Sequence, residues 1–311
     1  MHKLYWSYSM KNMWNKIITI ATLSFSINAF AILPSLGSFP QFPELPKIKN
    51  FDPSSLQKFY NQFTNEKPNI ERENRMTSEI EDGVMDGDVE YLPISNDQEL
   101  FSIFMESDSK KPKGGIILLH SRGFHANWES VIKPLRVGLN EKNWHTLSVQ
   151  MPVLEKSAKY YDYVPIFPYS HERIDAAIDF YKQRGIDNII LISHGCGAHM
   201  AMSYFDKFGD DKVNAFVGVG MGATDYQQKV IKRFPLDVML KPVLDIYGEK
   251  DFPGVVRLSN SRKALMDISG NKQNAQIIIN KADHYYTEAG TSQALVDSVD
   301  TWLSNLSKVP R

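Results

Sequence analysis

Cysteine is nearly absent from this chain. The 311 residues contain one, Cys196, which rules out an internal disulfide, although an exported protein with a large core can do without one. An excess of one charge is absent too: 35 Lys and Arg stand against 36 Asp and Glu, scattered along the chain, for a net charge of −1. Nucleic-acid binding therefore has no electrostatic footprint here. Metal-ligand spacing is also missing. His120 with His125, and His194 with His199, lack an Asp or Glu at ligand distance, and a separation of five does not share a helix face as i, i+4 would. The Gly218-x-Gly220-x-Gly222 run lacks the spacing and the downstream acid of a dinucleotide loop. No metal or cofactor is expected, and the chain has no internal repeat.

What is present is an apolar core of useful size, 42% hydrophobic residues with 23% charged, enough for one α/β domain. Lys11 and Lys16 precede an apolar run over 17–30 that ends in Ala29-Phe30-Ala31, a small-x-small pattern that signal peptidases cut. Residues 1–31 are expected to be a secretory leader cleaved after Ala31, which places the mature chain in the periplasm or outside the cell. Met10 makes a more ordinary start for such a leader than Met1. The run is interrupted by Ser24, Ser26 and Asn28 and is shorter than the ~20 residues of a spanning helix, so membrane contact is expected only through a leader left uncleaved.

Prolines 34, 40, 43, 46 and 53 recur without hydrophobic period and deny both helix and ladder bonds, so 32–83 reads as a proline-rich tether with short polar helices at 54–63 and 70–80. From 84 the pattern changes. Segments 89–94 and 99–105 alternate around Ser95-Asn96-Asp97 as an antiparallel edge hairpin does, and strands are expected at 115–120, 145–150, 189–192, 213–221, 242–247 and 275–280. Between them lie helical stretches at 128–139, 170–184, 226–233, 257–268 and 292–306, with Ser170 as a helix N-cap. Strand alternating with helix predicts a mostly parallel sheet of about seven or eight strands covered on both faces. The stretch 155–169 holds Tyr160, Tyr161, Tyr163, Phe167 and Tyr169 with two prolines; it is too aromatic for an idle loop and too broken for a helix.

The organising stretch is 187–201. A β-branched run ends at Ser193-His194-Gly195-Cys196-Gly197, a strand, tight turn and helix in the places of the G-x-S-x-G elbow, whose apex residue carries the nucleophile. Here that apex, Gly195, has no side chain. On these residues, and on Trp128, Val131, Ile132, Pro134, Leu135 and Arg136 of a W-x-x-V-I-x-P-L-R segment, the chain resembles the α/β-hydrolase superfamily over 84–308, and within it an uncharacterised branch of exported bacterial proteins. The resemblance implies the fold; activity is a separate matter.

In hydrolase chain order an acid and a histidine follow the elbow. The resemblance assigns Asp251, in Gly248-Glu249-Lys250-Asp251, as the acid and His284, in Ala282-Asp283-His284, as the general base, each just after a strand. A carboxylate there would fix the imidazole tautomer, and the imidazole would take a proton from a hydroxyl or thiol. Two side chains are candidates to replace the missing nucleophile. Cys196 begins a helix, whose dipole favours a thiolate, and Ser193 ends the strand, where bonding to backbone is the simpler role. Ser121 and Arg122 stand where many relatives carry His-Gly beside the oxyanion donor, and His194 fills the variable elbow position. The leading expectation is a binding protein for a small acyl- or ester-like ligand or an envelope partner, with little or no hydrolase activity and with 155–169 as lid or docking surface. The competing one is an active esterase using Cys196 or Ser193 with His284 and Asp251.

Overall fold

The computed structural model describes residues 66–95 and 98–306. The expected leader, the proline-rich stretch, the helix at 54–63 and the Asn96-Asp97 turn lie outside them. Helix α1 (Ile70–Glu81) is followed by β1 (Asp88–Pro93), β2 (Glu99–Met105), β3 (Gly115–Leu119), α2 (Ile132–Glu141) and β4 (His145–Val149). A short α3 (Tyr160–Tyr163) runs through a 3-10 segment (Val164–Tyr169) into α4 (Ser170–Gln183). Then come β5 (Ile189–His194), α5 (Cys196–Phe208), β6 (Ala215–Val219), β7 (Val243–Lys250), α6 (Pro253–Ser269), β8 (Ala275–Asp283) and α7 (Thr291–Leu306).

The strands form one eight-stranded sheet in the order β1-β2-β4-β3-β5-β6-β7-β8. The β1–β2 hairpin joins it antiparallel through β4, and all later pairs are parallel. The central strands are buried on both faces because both are covered. Ile117, Leu119, Leu147, Leu191 and Phe216 pack with α4 and α5 on one side. Ile116, Leu118, Ile190, Ile192 and Val217, one residue out of phase, pack with α2 and α7 on the other.

Three local expectations are corrected. The helix expected from Trp128 begins only at Ile132, after turns in which Trp128 stacks on Phe124 at 3.8 Å. Ser170 is the first residue of α4 and not its cap; the 3-10 segment runs straight into the helix, and the Ser170 hydroxyl donates to the Phe167 carbonyl at 2.6 Å. No helix forms at 226–233. The tyrosine-rich segment captures its polar groups instead: Lys229 N–H donates to Tyr161 Oη and Ile231 N–H to Tyr160 Oη, while Tyr161 N–H donates to the Gln228 side chain. These bonds replace an i−4 ladder.

Helix α1 reads in sequence as solvated preamble, yet it is fastened to the domain. Glu73, 9% exposed, makes a two-pronged ion pair with Arg173 of α4 at 2.6 and 3.2 Å. Arg72 donates to the carbonyls of Leu154 and Gly123, both at the C-terminal edge of the sheet.

Candidate active site

The chain turns from β5 to α5 in a single residue. Gly195 sits at φ +52° and ψ −115°, a positive-φ conformation outside the left-handed helical well that glycine adopts freely and that costs a residue with a side chain about 1–3 kcal/mol. Two residues on, Gly197 lets the helix lie against β3: a Cβ there would come within 2.5 Å of the His120 carbonyl oxygen. Strained apex and small neighbour are the two backbone requirements of a nucleophile elbow.

Asp251 and His284 meet at this apex. The His284 Nδ1–H donates to Asp251 Oδ1 at 2.7 Å, and the same oxygen accepts the Phe252 N–H at 2.7 Å. Both side chains are nearly sealed, with residue exposures of 6% and 3%. The imidazole lies between the Phe252 ring, stacked at 4.2 Å, and the His194 ring at 4.7 Å. Its Nε2 is turned to the elbow, 3.0 Å from where a Cβ on Gly195 would be. A hydroxyl one bond further out would be within hydrogen-bond reach of the base.

No such hydroxyl comes from the elbow, and the hydroxyl nearest the empty apex is that of Ser121, from the other side of the turn. Ser121 Oγ lies 2.7 Å from the same Cβ position and accepts the Cys196 N–H at 3.0 Å. That N–H follows the apex and is the donor an oxyanion would use. Ser121 is held by its neighbour His120, whose Nδ1–H donates to the Ser121 carbonyl at 2.7 Å while Nε2 accepts the Met151 N–H at 2.8 Å. Burial drives the His120 imidazole down to about 3, so it holds both bonds as a neutral ring.

The other sequence candidates lie elsewhere. Cys196 contributes its amide to the site and its thiol to the apolar cluster with α4. Burial outweighs the helix dipole and pushes that thiol up to about 12, so the thiolate favoured in sequence terms does not form. Ser193 is buried on the same face of β5 as Leu191, and its Oγ has no hydrogen-bond partner among the described residues, backbone included. His194 donates from Nε2 to the backbone carbonyl of His284 at 3.0 Å, and burial holds it neutral, well below the usual histidine range. It therefore positions the His284 turn. Arg122 is half-buried and paired: it bonds the Ala158 carbonyl at 3.0 Å and Asp225 at 2.8 Å, and Asp225 also accepts the Tyr160 N–H. It fastens the tyrosine-rich segment to the β6–β7 connection.

Residues that pattern reading passed over complete the rim. Tyr285 and Phe252 flank the dyad, and Phe124 packs edge-on against Tyr285 at 5.8 Å. Their signal was adjacency alone: each follows a candidate residue or shares the Ser121 turn.

A sheet in this order with an elbow after β5, an acid after β7 and a histidine after β8 is the architecture of the α/β-hydrolase fold. Solved structures agree at the level of the fold. Est1E from Butyrivibrio proteoclasticus matches with a TM-score of 0.53 and 15% identity, over 71% of this chain and 99% of its own. An alpha-beta serine hydrolase homologue from Coxiella burnetii matches at 0.51 and 18%, over 72% and 99%. A serine hydrolase without lid from Xanthomonas campestris matches at 0.50 and 12%, over 73% and 98%. No curated protein matches the sequence. Residues 43–163 and 169–305 match the family described as protein of unknown function, DUF3530, and the chain belongs to that family.

Proposed function

We propose that this chain is an exported α/β-hydrolase-fold protein that binds a small acyl- or ester-type ligand at its Asp251–His284 site and turns it over slowly or not at all. The observation that carries this reading is the position of Ser121 Oγ, on the Cys196 N–H and beside an apex without a side chain. Two requirements of acyl transfer are then missing together. The elbow has no nucleophile, whose loss in a serine hydrolase costs about 10⁶ in rate. The donor for the developing oxyanion already has a partner, and such a donor is worth about 10²–10³. The esterase reading through Cys196 or Ser193 loses ground, since neither side chain is placed against His284. Export rests on the leader pattern ending at Ala31.

The test uses mature protein with short p-nitrophenyl esters and a fluorophosphonate probe, and mass analysis of the exported chain. Expected are no stoichiometric labelling, hydrolysis near the background rate, stabilisation against heat by non-hydrolysable ester analogues, and an N-terminus at residue 32. Labelling of Ser121 that disappears in His284→Ala would instead make the chain a working hydrolase with its hydroxyl moved across the site.

A further inference from the structure

A hollow lies away from the dyad. It has a volume of about 140 Å³ and is bounded by the 3-10 segment, α5 and residues 231–234. None of Ser121, Gly195, Asp251 or His284 lines it. Its walls are Tyr160, Phe167, His199, Met202 and Phe234, each 8% exposed or less. The rings face one another around His199: Tyr160 at 4.8 Å, Phe234 at 5.0 Å, and Phe167 nearly parallel at 6.0 Å. Burial holds His199 at about 3, so the wall carries no charge at neutral pH.

Charge appears only where the hollow reaches solvent. Lys232 and Arg233 line it there, with side chains 68% and 65% exposed, and no Asp or Glu lines it at all. Each cation has one carboxylate partner, Asp206 for Lys232 and Asp237 for Arg233. A guanidinium offers five N–H donors and an ammonium three, so donors remain for a second anion. The volume is close to the ~150 Å³ of a dry apolar cavity that accepts benzene. An apolar hollow with a few polar groups placed at one end is the usual form of a small-molecule site.

We propose that this hollow binds a small carboxylic acid, its single ring or short acyl chain among Tyr160, Phe167, Met202 and Phe234 and its carboxylate on Lys232 and Arg233. The assignment goes beyond the reading of the elbow, because it uses none of the dyad. It also gives the aromatic 155–169 stretch a task, since Tyr160 and Phe167 come from it.

Isothermal titration of the full-length chain with benzoate and hexanoate, against benzyl alcohol and hexan-1-ol, tests it. The acids should bind, and more tightly than the matched alcohols. The double change Lys232→Gln/Arg233→Gln lies at exposed positions and should weaken the acids by roughly tenfold while leaving the alcohols as they were. Met202→Phe should reduce binding of all four by filling the hollow, and Ile231→Trp does the same from an exposed position if that core change impairs folding. Acid binding at the hollow should persist in His284→Ala, whether or not the dyad's own ligand binding is lost. Three results would overturn the proposal: no acid binding tighter than about 10 mM, a free energy of roughly 3 kcal/mol; alcohols binding as tightly as acids; or binding lost in His284→Ala and kept in Ile231→Trp, which places the ligand at the dyad.

Discussion

Replacing Gly195 by serine restores the residue type that an elbow normally carries, and the structure sets what that does. The new Cβ would lie 2.7 Å from Ser121 Oγ and 3.0 Å from His284 Nε2, where ordinary contacts begin near 3.4 Å. Overpacking of this kind costs about 1–3 kcal/mol, and the positive-φ backbone adds about 1–3 kcal/mol for a side-chain-bearing residue. Gly195→Ser alone should therefore be destabilised by roughly 2–6 kcal/mol and remain nearly inactive, because Ser121 still occupies the Cys196 N–H. Adding Ser121→Gly removes the contact and frees the donor together. The double variant should recover about 1–3 kcal/mol, several degrees in Tm for a domain of this size. It should hydrolyse p-nitrophenyl acetate about 10²–10³ times faster than Gly195→Ser, the worth of one oxyanion donor. A double-mutant cycle in Tm and in kcat/KM measures both terms. If Gly195→Ser alone is as stable and as active as the double variant, Ser121 blocks nothing; a folded but inert double variant means that Asp251 and His284 are not poised for acyl transfer.

Three further outcomes follow from buried polar groups. His120 and His199 are each depressed from the ordinary histidine value to about 3, so below pH 6.5 the unfolded chain binds protons that the folded chain does not. Their stabilisation is complete above pH 6.5 and is lost as pH falls, by about 2 kcal/mol each at pH 5, so urea midpoints should drop between pH 7 and pH 5. A flat profile would refute the buried neutral rings. Glu73→Ala leaves Arg173 buried without its partner and should cost about 3–5 kcal/mol, releasing α1 to limited proteolysis within residues 70–81, whereas the charge-removing pair Glu73→Leu/Arg173→Met should cost much less. His194→Phe should cost about 1–2 kcal/mol through the lost bond to the His284 carbonyl and disturb the His284 ring signals in NMR spectra, effects that His194→Gln should largely avoid.

The fold was legible because a strand buried on two faces is usually written in consecutive apolar residues, as 116–119 and 189–192 are, while β4 (HTLSV) hides Thr146 and Ser148 among them. Chain order then brought Asp251 and His284 to the ends of neighbouring strands, and the structure sets them 2.7 Å apart. What pattern reading missed depended on partners distant in sequence. Glu73 meets Arg173 across 100 residues, and only that pairing turns a polar helix into part of the domain. The stretch 226–233 has helix-compatible residues, but the hydroxyls of Tyr160 and Tyr161 take its amides. Cys196 shows the limit of a local electrostatic rule: the helix end favours a thiolate, and the direction of the side chain decides that none forms. Ser121 read as a neighbour of the oxyanion donor; that its own oxygen would accept that N–H needed coordinates.

The opposed glycine and serine also bear on how such a protein could change over generations. A side chain at 195 meets the Ser121 oxygen, and a smaller residue at 121 gives that space back. The two positions therefore constrain one another: a gain of bulk on one side of the turn is tolerated only with a loss of bulk on the other, so substitutions there are expected to be accepted as pairs.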